Sequence, residues 1–213
     1  MKNLEKIFAT KLLKVKAIKL QPANPFTWAS GWKSPFYCDN RKTLSYPELR
    51  SFVKLEIARI IMEQFPEVEA IAGVATGAIP QGALVADVLN LPFAYVRSKP
   101  KDHGLENLIE GELKPGMKVV VVEDLISTGG SVLEVVDVLR QAGAEVLGIV
   151  SIFTYGMQKG IDRLAAAKVK NVSLTNFDVI AEEAAMEGYI RPEDISRLIK
   201  FRNNPSDESW REI

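Results

Sequence analysis

Val119 to Val122 are four consecutive β-branched residues, and they run directly into Glu123-Asp124-Leu125-Ile126-Ser127-Thr128-Gly129-Gly130-Ser131. An unbroken β-branched run suits a strand buried on both faces, as in a parallel sheet. The small residues that follow suit a different task. Glycines and short hydroxyl side chains let backbone N–H groups converge on an anion at a helix N-terminus. Ser127, Thr128 and Ser131 add hydroxyl donors. Glu123 and Asp124 would repel a phosphate unless they hold something else, and a carboxylate can accept hydrogen bonds from vicinal sugar hydroxyls. The segment therefore reads as a strand–loop–helix site for a phosphosugar. A plain turn with acidic capping residues would explain one acid but not the combination. Gly31-Trp32-Lys33-Ser34 is no Walker loop, because Lys does not directly follow the glycine and no buried strand precedes it.

The remaining pattern places this segment in an α/β fold. Leu4, Ile7, Phe8, Leu12 and Leu13 recur at helical spacing, and Pro47 opens a helical pattern through Gln64. Strands are expected at Ala17–Leu20, Ala70–Val74, Phe93–Val96, Lys118–Val122, Val146–Phe153 and Val172–Leu174. Helices are expected at Ile79–Leu89, Ser131–Ala142, Ile161–Val169, Phe177–Gly188 and Pro192–Phe201. Gln21–Arg41, rich in Pro, Gly, Ser and aromatics, reads as irregular or a hairpin. Alternation of this kind predicts a parallel sheet with helices on both faces. Ligands then bind at the carboxyl ends of strands. Residues 98–117 form a long polar gap between strands, expected to be functional or disordered. The polar tail after Asn203 is expected to fray.

Composition narrows the class. At 213 residues, 47% of them hydrophobic, the chain suits one domain, 1–213, in which about 1–45 would form a small N-terminal hood. Lys+Arg and Asp+Glu are 27 each, so nothing draws the whole surface to nucleic acid or anionic lipid. A polyanion site must be local. One cysteine excludes an intrachain disulfide and a cysteine-based metal cluster. The N-terminus lacks a signal-peptide core and no apolar run is long enough to span a bilayer, so a cytoplasmic protein is expected.

Residues 119–131 resemble the diphosphate-sugar signature of the type I phosphoribosyltransferases over all thirteen positions. The resemblance implies that Glu123 and Asp124 hold the ribose hydroxyls of 5-phosphoribosyl 1-diphosphate. It implies that Ser127, Thr128, Gly129, Gly130 and Ser131 cradle the 5′-phosphate. Three further segments are similar to orotate phosphoribosyltransferases. Phe26–Gly31, Ser34–Tyr37 and Asp39–Arg41 match the N-terminal region, which implies that Phe36 and Tyr37 lie against orotate. Gly73–Pro80 stands where the family has its diphosphate loop, with Thr76 and Gly77 at the ligand. Arg97–Gly104 resembles the mobile catalytic loop, in which Arg97, Lys99, Lys101 and His103 would meet the diphosphate, partly across a homodimer.

The implied reaction joins orotate to ribose and releases diphosphate, with Lys101, His103 and Asp124 in catalytic roles and Mg²⁺ carried by the diphosphate sugar rather than by the protein. The chain departs from many members at Ala29, at Thr76-Gly77 and at Ser98, where cations are common. An arginine that contacts the orotate carboxylate in some members is not evident near Phe153–Gly156, and Arg41 is a substitute candidate. A phosphoribosyltransferase for another base, or a non-catalytic regulator that binds the phosphosugar, remains an alternative. The neutral charge and the Lys/His segment weigh against the regulator.

Overall fold

The computed structural model describes residues 2–27, 31, 33–97 and 108–212. Helix α1 (Lys2–Lys14) opens the chain, followed by β1 (Ile18–Leu20), β2 (Phe26–Thr27), β3 (Lys33–Ser34) and β4 (Phe36–Cys38). Then come α2 (Pro47–Gln64), β5 (Ala70–Val74), α3 (Ile79–Leu89), β6 (Phe93–Val96) and β7 (Ile109–Glu110). Next are β8 (Lys118–Ile126), α4 (Gly130–Gln141), β9 (Glu145–Thr154), α5 (Gln158–Ala166), β10 (Asn171–Asn176), α6 (Phe177–Met186) and α7 (Asp194–Asn203).

Six strands form the main sheet in the order β10-β9-β8-β5-β6-β7. Every pairing is parallel except β6–β7. The central strands match the buried-run reading: β5 is buried throughout, and Val119–Val122 are 0% exposed. Right-handed crossovers fix where the helices go. From β5 the chain crosses through α3 to β6 in one direction. From β8 it crosses through α4 to β9 in the other. The two helices therefore cover opposite faces, and the sheet reverses direction between β5 and β8. Such a switch point is where an open α/β sheet leaves a crevice for a ligand.

Four features differ from expectation. β8 runs past Val122 to Ile126, because β9 continues beside it and pairs Glu123 with Ser151 and Ile126 with Thr154. The acids therefore stand on the strand, not after it. The gap at 98–117 contains β7, whose pairing of Tyr95 with Glu110 closes that edge antiparallel. Two residues are too few to leave a periodic trace. Helix α5 begins at Gln158, ahead of the expected Ile161. The tail does not fray: Glu208–Glu212 form a 3₁₀ turn, with Trp210 fully buried edge-on against Phe201 at 5.8 Å. Burying an indole there outweighs the polarity of its neighbours.

The N-terminal strands sit over this sheet. β1 pairs antiparallel with β4, and β2 with β3. Phe36, on β4, stacks on Phe153 at 5.6 Å and packs on Phe177 at 4.8 Å. It contributes a large apolar area that ties β4 to the end of β9 and the start of α6.

Candidate active site

Two βα junctions meet at the switch point. After β8, Gly129 adopts a left-handed conformation (φ 74°, ψ 0°) as the residue before α4, a backbone that favours glycine. Ser127, Thr128 and Gly130 are half-buried around it, and Ser131 is exposed in the first helical turn. The N–H groups of a first helical turn and the positive end of the helix are suited to an anion. Helix α5 braces the loop from behind. Arg163 Nη1 donates to the Thr128 carbonyl at 3.2 Å, and a Cβ on Gly160 would sit 2.6 Å from the Ser127 carbonyl oxygen.

After β5, Thr76 is exposed and Gly77 half-buried, and the Ala75–Thr76 peptide is cis. Gly77 has a steric reason to be glycine. A Cβ there would sit 2.6 Å from Asp124 Cγ and still closer to a carboxylate oxygen. The place of the missing side chain is filled by the acid from the neighbouring junction.

The two acids are not equivalent. Glu123 is 5% exposed and its Oε1 accepts from the Asp124 N–H at 2.8 Å, whereas Asp124 is only half-buried. Burial, then hydrogen bonding with Asp124 and its charge, pushes the Glu123 carboxyl well above the usual glutamate range. Asn40 holds the pair from the N-terminal side: its Nδ2 donates to the Asp124 carbonyl at 2.6 Å. The Asn40 carbonyl accepts from Thr43 at 2.7 Å, and Thr43 in turn accepts from Gln81 on α3. Beside Asn40, burial followed by the charges of Asp124 and Asp39 pushes the Cys38 thiol up.

The other candidates divide. Phe36 is fully buried, so its ring belongs to the core, and its backbone is engaged too: the N–H donates to Ser34 Oγ at 3.1 Å and the carbonyl accepts from the same hydroxyl at 2.6 Å. Tyr37 is 39% exposed and rests on Phe26 at 5.7 Å, facing solvent as a ligand contact would. Arg97 Nη1 lies 3.5 Å from Glu110, and Leu108 O accepts from the Arg97 backbone N–H at 2.8 Å. Lys99, Lys101 and His103 lie outside the described residues, as do Ala29 and Ser98. Arg41 is engaged with Asp39 at 2.7 Å. Asn40, Gly160 and Arg163 were not among the expected site residues. Asn40 meets its partner 84 positions away, so no local spacing announces it.

Comparison with known proteins agrees with this geometry. The phosphoribosyl transferase domain family matches residues 53–186, which include both junctions. Orotate phosphoribosyltransferase of Phocaeicola vulgatus is 68% identical over 206 residues, covering 97% of each chain. The chain belongs to the orotate phosphoribosyltransferase family. Among solved structures, orotate phosphoribosyltransferase from Aeropyrum pernix is 30% identical, with a TM-score of 0.75 over 84% of this chain and 98% of that one. Leishmania donovani UMP synthase is 26% identical, with a TM-score of 0.78 over 93% of this chain, which spans 42% of that longer protein. The matched span includes Glu123, Asp124 and residues 127–131. Among the described residues, no helix is long and apolar enough to cross a membrane.

Proposed function

We infer that this chain is a pentosyltransferase that moves the phosphoribosyl group of 5-phosphoribosyl 1-diphosphate to orotate, giving orotidine 5′-phosphate and diphosphate in pyrimidine (UMP) biosynthesis. One observation carries the reaction class: two acids and an anion-binding helix N-terminus converge at the switch point of the sheet. The full-length likeness to orotate phosphoribosyltransferases supports orotate as the base.

The helix α4 terminus binds the 5′-phosphate and fixes the sugar end to end. Asp124 and Glu123 accept from the ribose hydroxyls and hold C1 in place. The bond from C1 to the diphosphate oxygen breaks, and its electron pair leaves with the diphosphate. The bond from orotate N1 to C1 forms on the opposite face, so C1 inverts. Orotate N1 ionises readily, so no strong protein base is needed. Lys101 and His103, with Lys99 and Arg97, stabilise the charge that develops on the leaving group.

The half-buried Asp124 carboxylate and the ribose hydroxyls it would bind are hard oxygen donors, which suits Mg²⁺. Bound through the diphosphate sugar, Mg²⁺ would neutralise charge on the diphosphate. We assign the working form to a cytoplasmic homodimer in which the 97–104 segment closes the partner's site and excludes water.

The deciding measurement is spectrophotometric. Orotate absorbance should fall only when the diphosphate sugar and Mg²⁺ are both present. Loss of hypoxanthine or uracil, with none of orotate, would reverse the choice of base.

A further inference from the structure

Asp124 stands on a stretch of β8 that the sheet holds on one side only. β5 pairs with β8 as far as Gly73 with Val122, whereas β9 stays alongside to Ile126 with Thr154. Past Val122, β8 therefore has no strand on its β5 side. A backbone carbonyl there needs another donor. Asn40 supplies it: its Nδ2 donates to the Asp124 carbonyl at 2.6 Å. A side-chain amide stands in for a strand, and the backbone that carries Asp124 is held on that side as firmly as the amide itself is held.

The Asn40 amide is fixed from behind. Cys38 Sγ donates to its Oδ1 at 3.3 Å, which leaves Nδ2 to face Asp124. Thr43 Oγ1 donates to the Asn40 carbonyl at 2.7 Å and accepts from Gln81 Nε2 at 3.2 Å. Asn40, Thr43 and Gln81 are all buried. Gln81 shares the buried stripe of α3 with Gly82, Val85 and Ala86, where an apolar residue would pack without the cost of burying an amide. Its Oε1 is buried without a partner among the described residues. Packing alone therefore does not explain a glutamine at this position. Gln81 also lies in the first turn of α3, directly after the β5 junction. The chain of bonds thus runs from the helix behind one ligand junction to the backbone of an acid in the other.

We propose that Thr43 and Gln81 are positioning residues for ribose recognition. Through Asn40 they set the backbone of Asp124, and with it the carboxylate that accepts from the ribose hydroxyls. The assignment rests on that reading of Asp124.

The test is calorimetry on the full chain with two probes, the diphosphate sugar and inorganic diphosphate. Thr43→Val keeps the shape and removes the hydroxyl. It should weaken the diphosphate sugar about five- to tenfold, the worth of one hydrogen bond. Inorganic diphosphate has no ribose, and its affinity should stay within about twofold. Thr43→Ser keeps the hydroxyl and should bind the sugar within about twofold of wild type. Gln81→Leu should weaken the sugar about threefold without lowering the melting temperature, because it takes a buried amide out of an apolar stripe. Unchanged sugar affinity in either Thr43→Val or Gln81→Leu overturns the proposal. So does a Thr43→Ser variant as weak as Thr43→Val, or diphosphate affinity that falls in step with the sugar. Asp124→Asn separates the premise from the proposal: wild-type sugar affinity in that variant would remove the ribose role of Asp124 itself.

Discussion

The β5–α3 and β8–α4 junctions are built alike and equipped oppositely. Each follows a strand whose middle is buried, and each opens a helix. The β8 junction presents two acids and three hydroxyl side chains. The β5 junction, at Gly73–Ala78, presents Thr76 and otherwise backbone and small side chains. The reason is mutual. In this chain Asp124 occupies the space that a side chain at Gly77 would need. The site is a shared volume divided unequally between two loops.

Gly77→Ala attacks this division most directly. The added methyl must displace the Asp124 carboxylate, and a displacement near 1 Å costs about a hundredfold in rate. A loss of that order in kcat/KM is expected, and a near-normal value would mean that the junctions do not compete for space. Asn40→Ala tests the support behind the richer junction. Removing the hydrogen bond to the Asp124 carbonyl should cost about 1–2 kcal/mol of stability. Affinity for the diphosphate sugar, read by calorimetry, should fall about tenfold. Ser131→Ala removes one hydroxyl but leaves the backbone N–H of α4 in place. It should raise the KM for the diphosphate sugar by only about threefold, less than one net hydrogen bond. A larger rise would move the phosphate recognition from backbone to side chain.

The gentlest expected effect is a slope. Glu123 holds its proton to higher pH when folded than its ordinary value of 4.5. The folded chain then binds more protons than the unfolded one above that value, so stability falls as pH rises through the window. Asp39, Asp194 and Asp207 shift downward from 3.8, so their contribution changes at lower pH. Melting temperature followed from about pH 4.5 upward should decline in the wild type relative to Glu123→Gln. Parallel curves would show that Glu123 ionises as an ordinary glutamate.

What could be read from the sequence was whatever is local. The buried β-branched run of β8, the glycines that turn into α4 and the acids between them are contiguous, so their joint meaning survives without coordinates. The helix and strand order followed from periodicity for the same reason. Contacts across long separations left no such trace. Phe36 and Tyr37 are neighbours in sequence, yet one is fully buried and the other 39% exposed, because only Phe36 meets Phe153, Tyr155 and Phe177. Strand alternation allows opposite faces but does not say which one meets the core. Asn40, which donates to the Asp124 carbonyl, and Arg202, which meets the Gly156 carbonyl and Asp178, depend on partners that only the fold brings near.

Trp210 carries a practical consequence. Its indole seals Phe201, the residue immediately before Arg202. The 3₁₀ turn at Glu208–Glu212 therefore works as a wedge behind the end of α7, from which Arg202 donates to the Gly156 carbonyl. Trimming the C-terminus by exopeptidase, or fusing a bulky tag tightly against it, would loosen the end of α7 and the contacts of Arg202 without touching either βα junction, so an amino-terminal tag is the safer handle for any assay.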